Sequence, residues 1–164
     1  MRFSHRGFRV GVFVDNVNLH VACREHFGGT LNHALLLKRA VDDNELFRAI
    51  AYGVRLGDGI DRWRVALEKF GYEIKEKPPK DHKADWDAAI VVDVWRIVNQ
   101  VDMVVIVSGD GDFVPLVKHC QDLGRIVKVM GVLGCTAQAL IEAADEFVPV
   151  TEELLLKPKK EEAD

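Results

Sequence analysis

The chain has 164 residues, 48% apolar and 29% charged, which suits one globular domain and excludes a disordered or fibrous chain. Its 22 Lys/Arg against 26 Asp/Glu give a net charge of −4, so any nucleic-acid contact has to come from a local patch. No apolar run approaches the ~20 residues that cross a bilayer. The basic start Met1–Arg6 leads into a stretch that Arg9 and Asp15 interrupt, with no small-residue cleavage site, so a cytoplasmic protein without membrane contact is expected.

The predicted elements alternate. Phe8 to Val14 reads as a buried strand stopped by Asp15, followed by a helix from Asn18 to Phe27 that Gly28-Gly29 ends. Asn32 can cap a second helix carrying Leu35, Leu36 and Ala40 on one face. Leu46 to Val54 is the next strand, Gly57-Asp58-Gly59 a turn, and Asp61 to Phe70 a helix with Trp63, Ala66, Leu67 and Phe70 at helical spacing. A short strand, Tyr72 to Lys77, precedes Pro78-Pro79 and a polar loop.

Asp85 to Val98 is apolar almost all round, as in a helix buried on several sides. The remainder reads as strand Val101 to Val107, helix Phe113 to Leu123, strand Ile126 to Met130, helix Ala137 to Ala144 and strand Phe147 to Val150. Such alternation predicts an α/β fold with a central parallel sheet and helices on both faces, because parallel strands need crossover connections. A single domain over residues 1–150 is expected, with 151–164 a frayed, charged tail.

Ligands of open α/β sheets bind beyond the carboxyl ends of the strands. The first strand ends in Asp15-Asn16-Val17-Asn18 and the strand at 101–107 in Ser108-Gly109-Asp110-Gly111-Asp112-Phe113. If these two strands are neighbours, Asp15, Asp110 and Asp112 meet at one edge, and Asp87 can join them from the buried helix. Carboxylates ~4 Å apart repel by about 4 kcal/mol at an effective dielectric of 20, so the cluster calls for a cation. An all-oxygen site suits Mg²⁺ or Mn²⁺, the usual apparatus of phosphodiester hydrolysis.

Each residue also has a plainer role. Asp15 can cap the helix that follows it, and Asp85 stands where the buried helix begins. Asp93, among Val91, Val92, Val94 and Trp95, either supports the site or pairs with a basic residue. Asn18 is a cap or a phosphate contact, and Ser108 a turn residue or one that orients Asp15. Lys75, Lys77, Lys80, His82 and Lys83 form the densest basic stretch, and residues 55–83 carry eight Lys/Arg against six Asp/Glu. That stretch is either solvated surface or a guide for a phosphate backbone, and Trp86 beside it either stacks on a base or is buried.

Other chemistries find no motif. Cys23, Cys120 and Cys135 have neither disulfide nor zinc spacing and read as reduced thiols. The glycines make no GxGxxG or phosphate loop, the six histidines show no ligand spacing, and no Gly-x-Ser-x-Gly elbow exists.

The segments Val12-Phe13-Val14-Asp15 with Asn18-Leu19, Asp85-Trp86-Asp87 with Asp93, and Ser108-Gly109-Asp110-Gly111-Asp112-Phe113 resemble those of the NYN domains, PIN-like nucleases, and among them the LabA-like group. The resemblance runs through Ala139–Phe147 and covers roughly residues 8–150. It implies a Rossmann-like PIN fold, an acidic cluster binding Mg²⁺ or Mn²⁺, and ribonuclease activity. The strand-end aspartate of the family maps onto Asp15, its helix aspartates onto Asp87 and Asp93, and its SGD.DF pair onto Asp110 and Asp112. At Gly134-Cys135-Thr136 relatives tend to carry small hydroxyl residues. Cys135 stands in place of a serine near the mouth of the site, which bears on the substrate contact there but not on the metal cluster, and Thr136 is a candidate to support the site or to touch substrate.

The expected function is thus a metal-dependent endoribonuclease on single-stranded or structured RNA. Asp15, Asp87, Asp110 and Asp112 are its ligands and catalytic residues, Lys83 and its neighbours bind backbone, and the products carry 5′-phosphates. Two alternatives stay open: a regulatory RNA- or protein-binding member without turnover, and a small-molecule phosphohydrolase on the same site. PIN-like domains often pair, which leaves a homodimer open, though no single apolar stripe marks an interface.

Overall fold

The computed structural model describes residues 7–54, 60–77 and 86–157. Six strands form one sheet: β1 (Arg9–Asp15), β2 (Glu45–Val54), β3 (Tyr72–Lys77), β4 (Met103–Val107), β5 (Ile126–Gly131) and β6 (Glu146–Pro149). The helices between them are α1 (Asn16–Phe27), α2 (His33–Val41), α3 (Ile60–Phe70), α4 (Asp87–Ile97), α5 (Val114–Asp122) and α6 (Gln138–Ala143). The strand order is β3-β2-β1-β4-β5-β6 and every pairing is parallel. The predicted α/β class, with its central parallel sheet, is the observed one.

The central strands read as continuous apolar runs because both faces of the sheet are covered. Along β4, Met103, Val105 and Val107 enter one core while Val104 and Ile106 enter the other. The first core takes Leu19, Ala22 and Cys23 of α1, Leu36, Leu37 and Ala40 of α2, and Leu67 of α3. The second takes Ile90, Val94 and Ile97 of α4, Leu116 and Val117 of α5, and Leu140 of α6. Each fully buried side chain of this kind is worth about 1.5–3 kcal/mol, which outweighs the weak helix propensity of a valine-rich segment such as α4.

Local signals set the ends. Asn32 caps α2 by accepting from Ala34 and Leu35 N–H at 3.1 and 3.2 Å. Gly28 ends α1 at φ 66°, a left-handed conformation that glycine adopts without a Cβ penalty. Element ends fall within two residues of those expected, and two differences matter here. The helix α1 starts at Asn16, directly behind Asp15. Past Thr151 the chain does not fray at once: Leu154 is buried, its carbonyl accepts from Asn32 N–H, and Leu155 bridges to Leu31. The apolar residues Leu154 and Leu155 within a charged tail are what dock it. The turn at 57–59 and the loop at 78–83 lie outside the described residues, and no described helix is long and apolar enough to cross a membrane.

Candidate active site

The strand order reverses between β1 and β4. The chain leaves β1 for α1 on one face and leaves β4 for α5 on the other, which opens a crevice at the carboxyl ends of these strands. Asp15 ends β1, and Ser108-Gly109-Asp110 follows β4. The N-terminus of α4 delivers Asp87 to the same place.

Asp87, Asp110 and Asp112 offer carboxylate oxygens within 4.8 Å of one another. Asp87 and Asp110 are half-buried and Asp112 is exposed. The donor set is all carboxylate, with no thiol or imidazole, and so suits a hard divalent cation. Neither Asp110 nor Asp112 forms an ion pair among the described residues. The Asp110 carboxylate accepts the Asp112 N–H at 2.9 Å, capping a short 3-10 turn, Gly111–Phe113. Both aspartates are held by that one turn.

Asp15, expected as a fourth ligand, stands outside this group of three. It is only 7% exposed, accepts the Ser108 hydroxyl at 3.0 Å, and caps α1 through Asn18 N–H at 3.4 Å. Ser108 Oγ in turn accepts the Asp110 N–H at 3.2 Å. A single serine therefore links the two strand-end aspartates, and Ser108 takes the orienting role rather than the plain turn role. Asn18 is not the cap of α1, a place Asp15 takes; its amide oxygen accepts the Gly109 N–H at 2.9 Å, tying α1 to the loop after β4.

Asp93 pairs with a base. Its Oδ2 accepts Tyr52 OH at 2.8 Å and Lys75 Nζ at 2.7 Å, and Arg96 lies 3.8 Å from Oδ1. The network fastens α4 to β2 and β3 and engages one lysine of the basic stretch. Burial, then the hydrogen bond to Asp93, pushes the Tyr52 hydroxyl far above its ordinary pKa. Lys75, 41% exposed, can return to water when its partner is lost, but Tyr52 OH cannot. Asp93→Ala should therefore cost about 2–3 kcal/mol, most of it from the stranded hydroxyl, seen as a lower urea midpoint at unchanged slope.

Trp86 is buried against the Tyr52 ring, centroids 5.6 Å apart, and is not a surface for bases. The Thr136 hydroxyl donates to the Val132 carbonyl at 2.9 Å within its own loop. Lys80, His82, Lys83 and Asp85 lie outside the described residues, as does the Lys77 side chain.

Several supports carry no sequence motif. The loop 132–137 lies on the loop after β4: Ala137 N–H donates to Gly109 carbonyl at 2.9 Å, and a Cβ on Gly109 would run into the Cys135 carbonyl oxygen. Glycine at 109 is thus required by a close approach of two backbones. Next to Asp15, Asn16 Oδ1 lies 2.7 Å from His33 Nε2. Burial holds the His33 pKa down at about 4. Because the folded value is below the unfolded one, His33 adds stability above pH 6.5, and that contribution fades as pH falls from 6.5 to 4. About 3 kcal/mol should be lost in thermal melts across this window, and His33→Gln should flatten the slope.

The family model of the NYN domain matches residues 9–155, nearly the whole chain. The chain belongs to the NYN domain family. It is 26% identical to Low amplitude and bright protein LabA of Synechococcus elongatus (strain ATCC 33912 / PCC 7942 / FACHB-805), over 91% of this chain and 87% of that protein. The crystal structure of a protein of unknown function from Vibrio parahaemolyticus RIMD 2210633 superposes with a TM-score of 0.85. That match has 33% identity and covers 95% of this chain and all of the other. The resemblance to NYN domains and their LabA-like members thus holds, and the PIN-like sheet and acidic cluster of this NYN domain are both present.

Proposed function

We propose that this NYN domain is a metal-dependent endoribonuclease. One observation carries the reading: Asp87, from α4, and Asp110 and Asp112, from the loop after β4, converge within 4.8 Å at the strand-end crevice. Asp87, Asp110 and Asp112 would hold Mg²⁺ or Mn²⁺, with Asp15 joining them or acting through Ser108. A cation there would polarise a phosphoryl oxygen and make a nearby water a stronger nucleophile, the usual chemistry of carboxylate-bound divalent ions. The protein's own part is positional. Ser108 and the 3-10 turn hold Asp110 and Asp112, Asn18 holds Gly109, and the Asp93 network holds the helix that carries Asp87. Hydrolysis would break the P–O3′ bond and leave a 5′-phosphate and a 3′-hydroxyl.

The rival reading is a regulatory RNA binder without turnover. It draws support from Asp15, whose carboxylate is already engaged by Ser108 and Asn18. One assay separates the two: single-stranded RNA incubated with the protein in Mn²⁺, in Mg²⁺ and in EDTA. Cleavage in metal and none in EDTA is expected. Intact RNA in all three, with binding retained, would favour the regulatory reading.

A further inference from the structure

Helices α4 and α5 cover the same face of the sheet, and contacts join them at two levels. At the top, Asp87 of α4 and Asp112, just ahead of α5, belong to the carboxylate group within 4.8 Å. Lower down, the rings of Trp95 on α4 and His119 on α5 meet with centroids 5.3 Å apart and planes at 41°. Asp87, Val91 and Trp95 are spaced as one i, i+4, i+8 ridge, which puts Trp95 about 12 Å along the helix from the acidic end. Half-buried Val91 and Val114 belong to the stretch between.

The ring pair is not core. Trp95 is 57% exposed, and His119, Val92 and Leu123 are exposed with it. Lys118, next in sequence to His119, is an exposed cation, with Asp122 the acidic group on that part of α5, while Arg96 lies 3.8 Å from Asp93. An accessible indole on a seam that starts at the carboxylate group has the chemistry of a stacking platform for nucleobases.

We propose that the α4–α5 seam binds single-stranded RNA, with the strand passing from the acidic site and stacking a base on the Trp95–His119 pair. This rests on the nuclease reading and gives that site its substrate path. Every base has a stackable face, so the platform is tolerant of sequence. Bases of a duplex are already stacked on one another, so it selects single strands. A phosphate met by Lys118 makes the binding weaken with salt.

The test is fluorescence anisotropy of the full chain with a fluorescein-labelled single-stranded RNA of about 12 nucleotides in EDTA, where cleavage cannot intervene. Wild type should bind and show quenched tryptophan emission. Trp95→Ala should weaken binding about 5- to 100-fold, and Trp95→Phe should stay within about threefold of wild type. Unlabelled duplex RNA should compete poorly. Absence of binding by the wild type, or equal affinity in Trp95→Ala with its circular dichroism unchanged, would overturn the proposal. So would Trp95→Ala turning a dimer into a monomer in sedimentation with RNA affinity unaltered, which would assign the patch to a second copy of the chain. Cleavage in Mn²⁺ is scored separately: RNA binding that needs Trp95 without any cleavage removes the nuclease reading and leaves the binding path standing.

Discussion

Asp110→Asn should abolish metal-dependent RNA cleavage, by more than about 100-fold, while leaving the metal-free fold as stable as before or slightly more so. The loss exceeds the 10–100-fold typical of residues that only support a metal ligand, because Asp110 would itself be one. Asparagine keeps an oxygen to accept the Asp112 N–H, so the 3-10 turn survives. What disappears is a charge. Two like charges within 4.8 Å of each other repel by at least about 3 kcal/mol at an effective dielectric of about 20, and water around the exposed Asp112 reduces that. If about 1 kcal/mol of relief remains, Tm rises by about 2–4 °C for a domain of this size. Mn²⁺ should reverse the order: at 100 times its Kd it adds about 2.7 kcal/mol to the wild type and far less to the variant. Asp15→Asn should abolish cleavage as well. Wild-type cleavage by Asp110→Asn would remove the mechanism.

The second large effect is expected at Gly109. In Gly109→Ala the new methyl would meet the Cys135 carbonyl oxygen and lie 3.1 Å from Thr136 Cα, both of them backbone. No rotamer change relieves that collision, so one loop has to move. The cost should be about 2–3 kcal/mol in urea unfolding, near the top of the usual range for overpacking. Displacement of the loop after β4 also stretches the Asn18 bond to Gly109 N–H and shifts Asp110, so cleavage should fall with stability. Gly111→Ala is the matched control. Its methyl would lie 3.1 Å from Ala137 Cβ, a much milder contact that a loop shift of a few tenths of an ångström relieves, and the cost should stay below about 1 kcal/mol.

The candidate ligands Asp15, Asp110 and Asp112 were legible because they sit at strand ends, where a run of buried apolar residues stops abruptly at Asp15 or at Ser108, and Asp87 because it opens a helix. A break of that kind is visible in one dimension. The partners of those residues were not. Asp93 could be read as a buried charge in need of a partner, but nothing local names Tyr52 and Lys75, 41 and 18 residues away. Asn18 could be read as a cap or a phosphate contact, and its bond to Gly109 spans 91 residues. The aromatic residues misled in the same way. Trp86 stands beside the basic stretch yet is buried, whereas Trp95, inside the most apolar helix, is the exposed one.

By itself the amino-acid order determined the alternation of strands and helices, and with it a parallel sheet covered on both faces, because hydrophobic periodicity and capping act within a few residues. It also placed each aspartate at the end of its element. Only the tertiary structure decided that β1 lies beside β4, that Asp87, Asp110 and Asp112 form the close group while Asp15 is hydrogen-bonded to Ser108 beside them, and that Trp95 faces water. Those outcomes depend on which surfaces of distant segments pack together, a property of the assembled core rather than of any short stretch of chain.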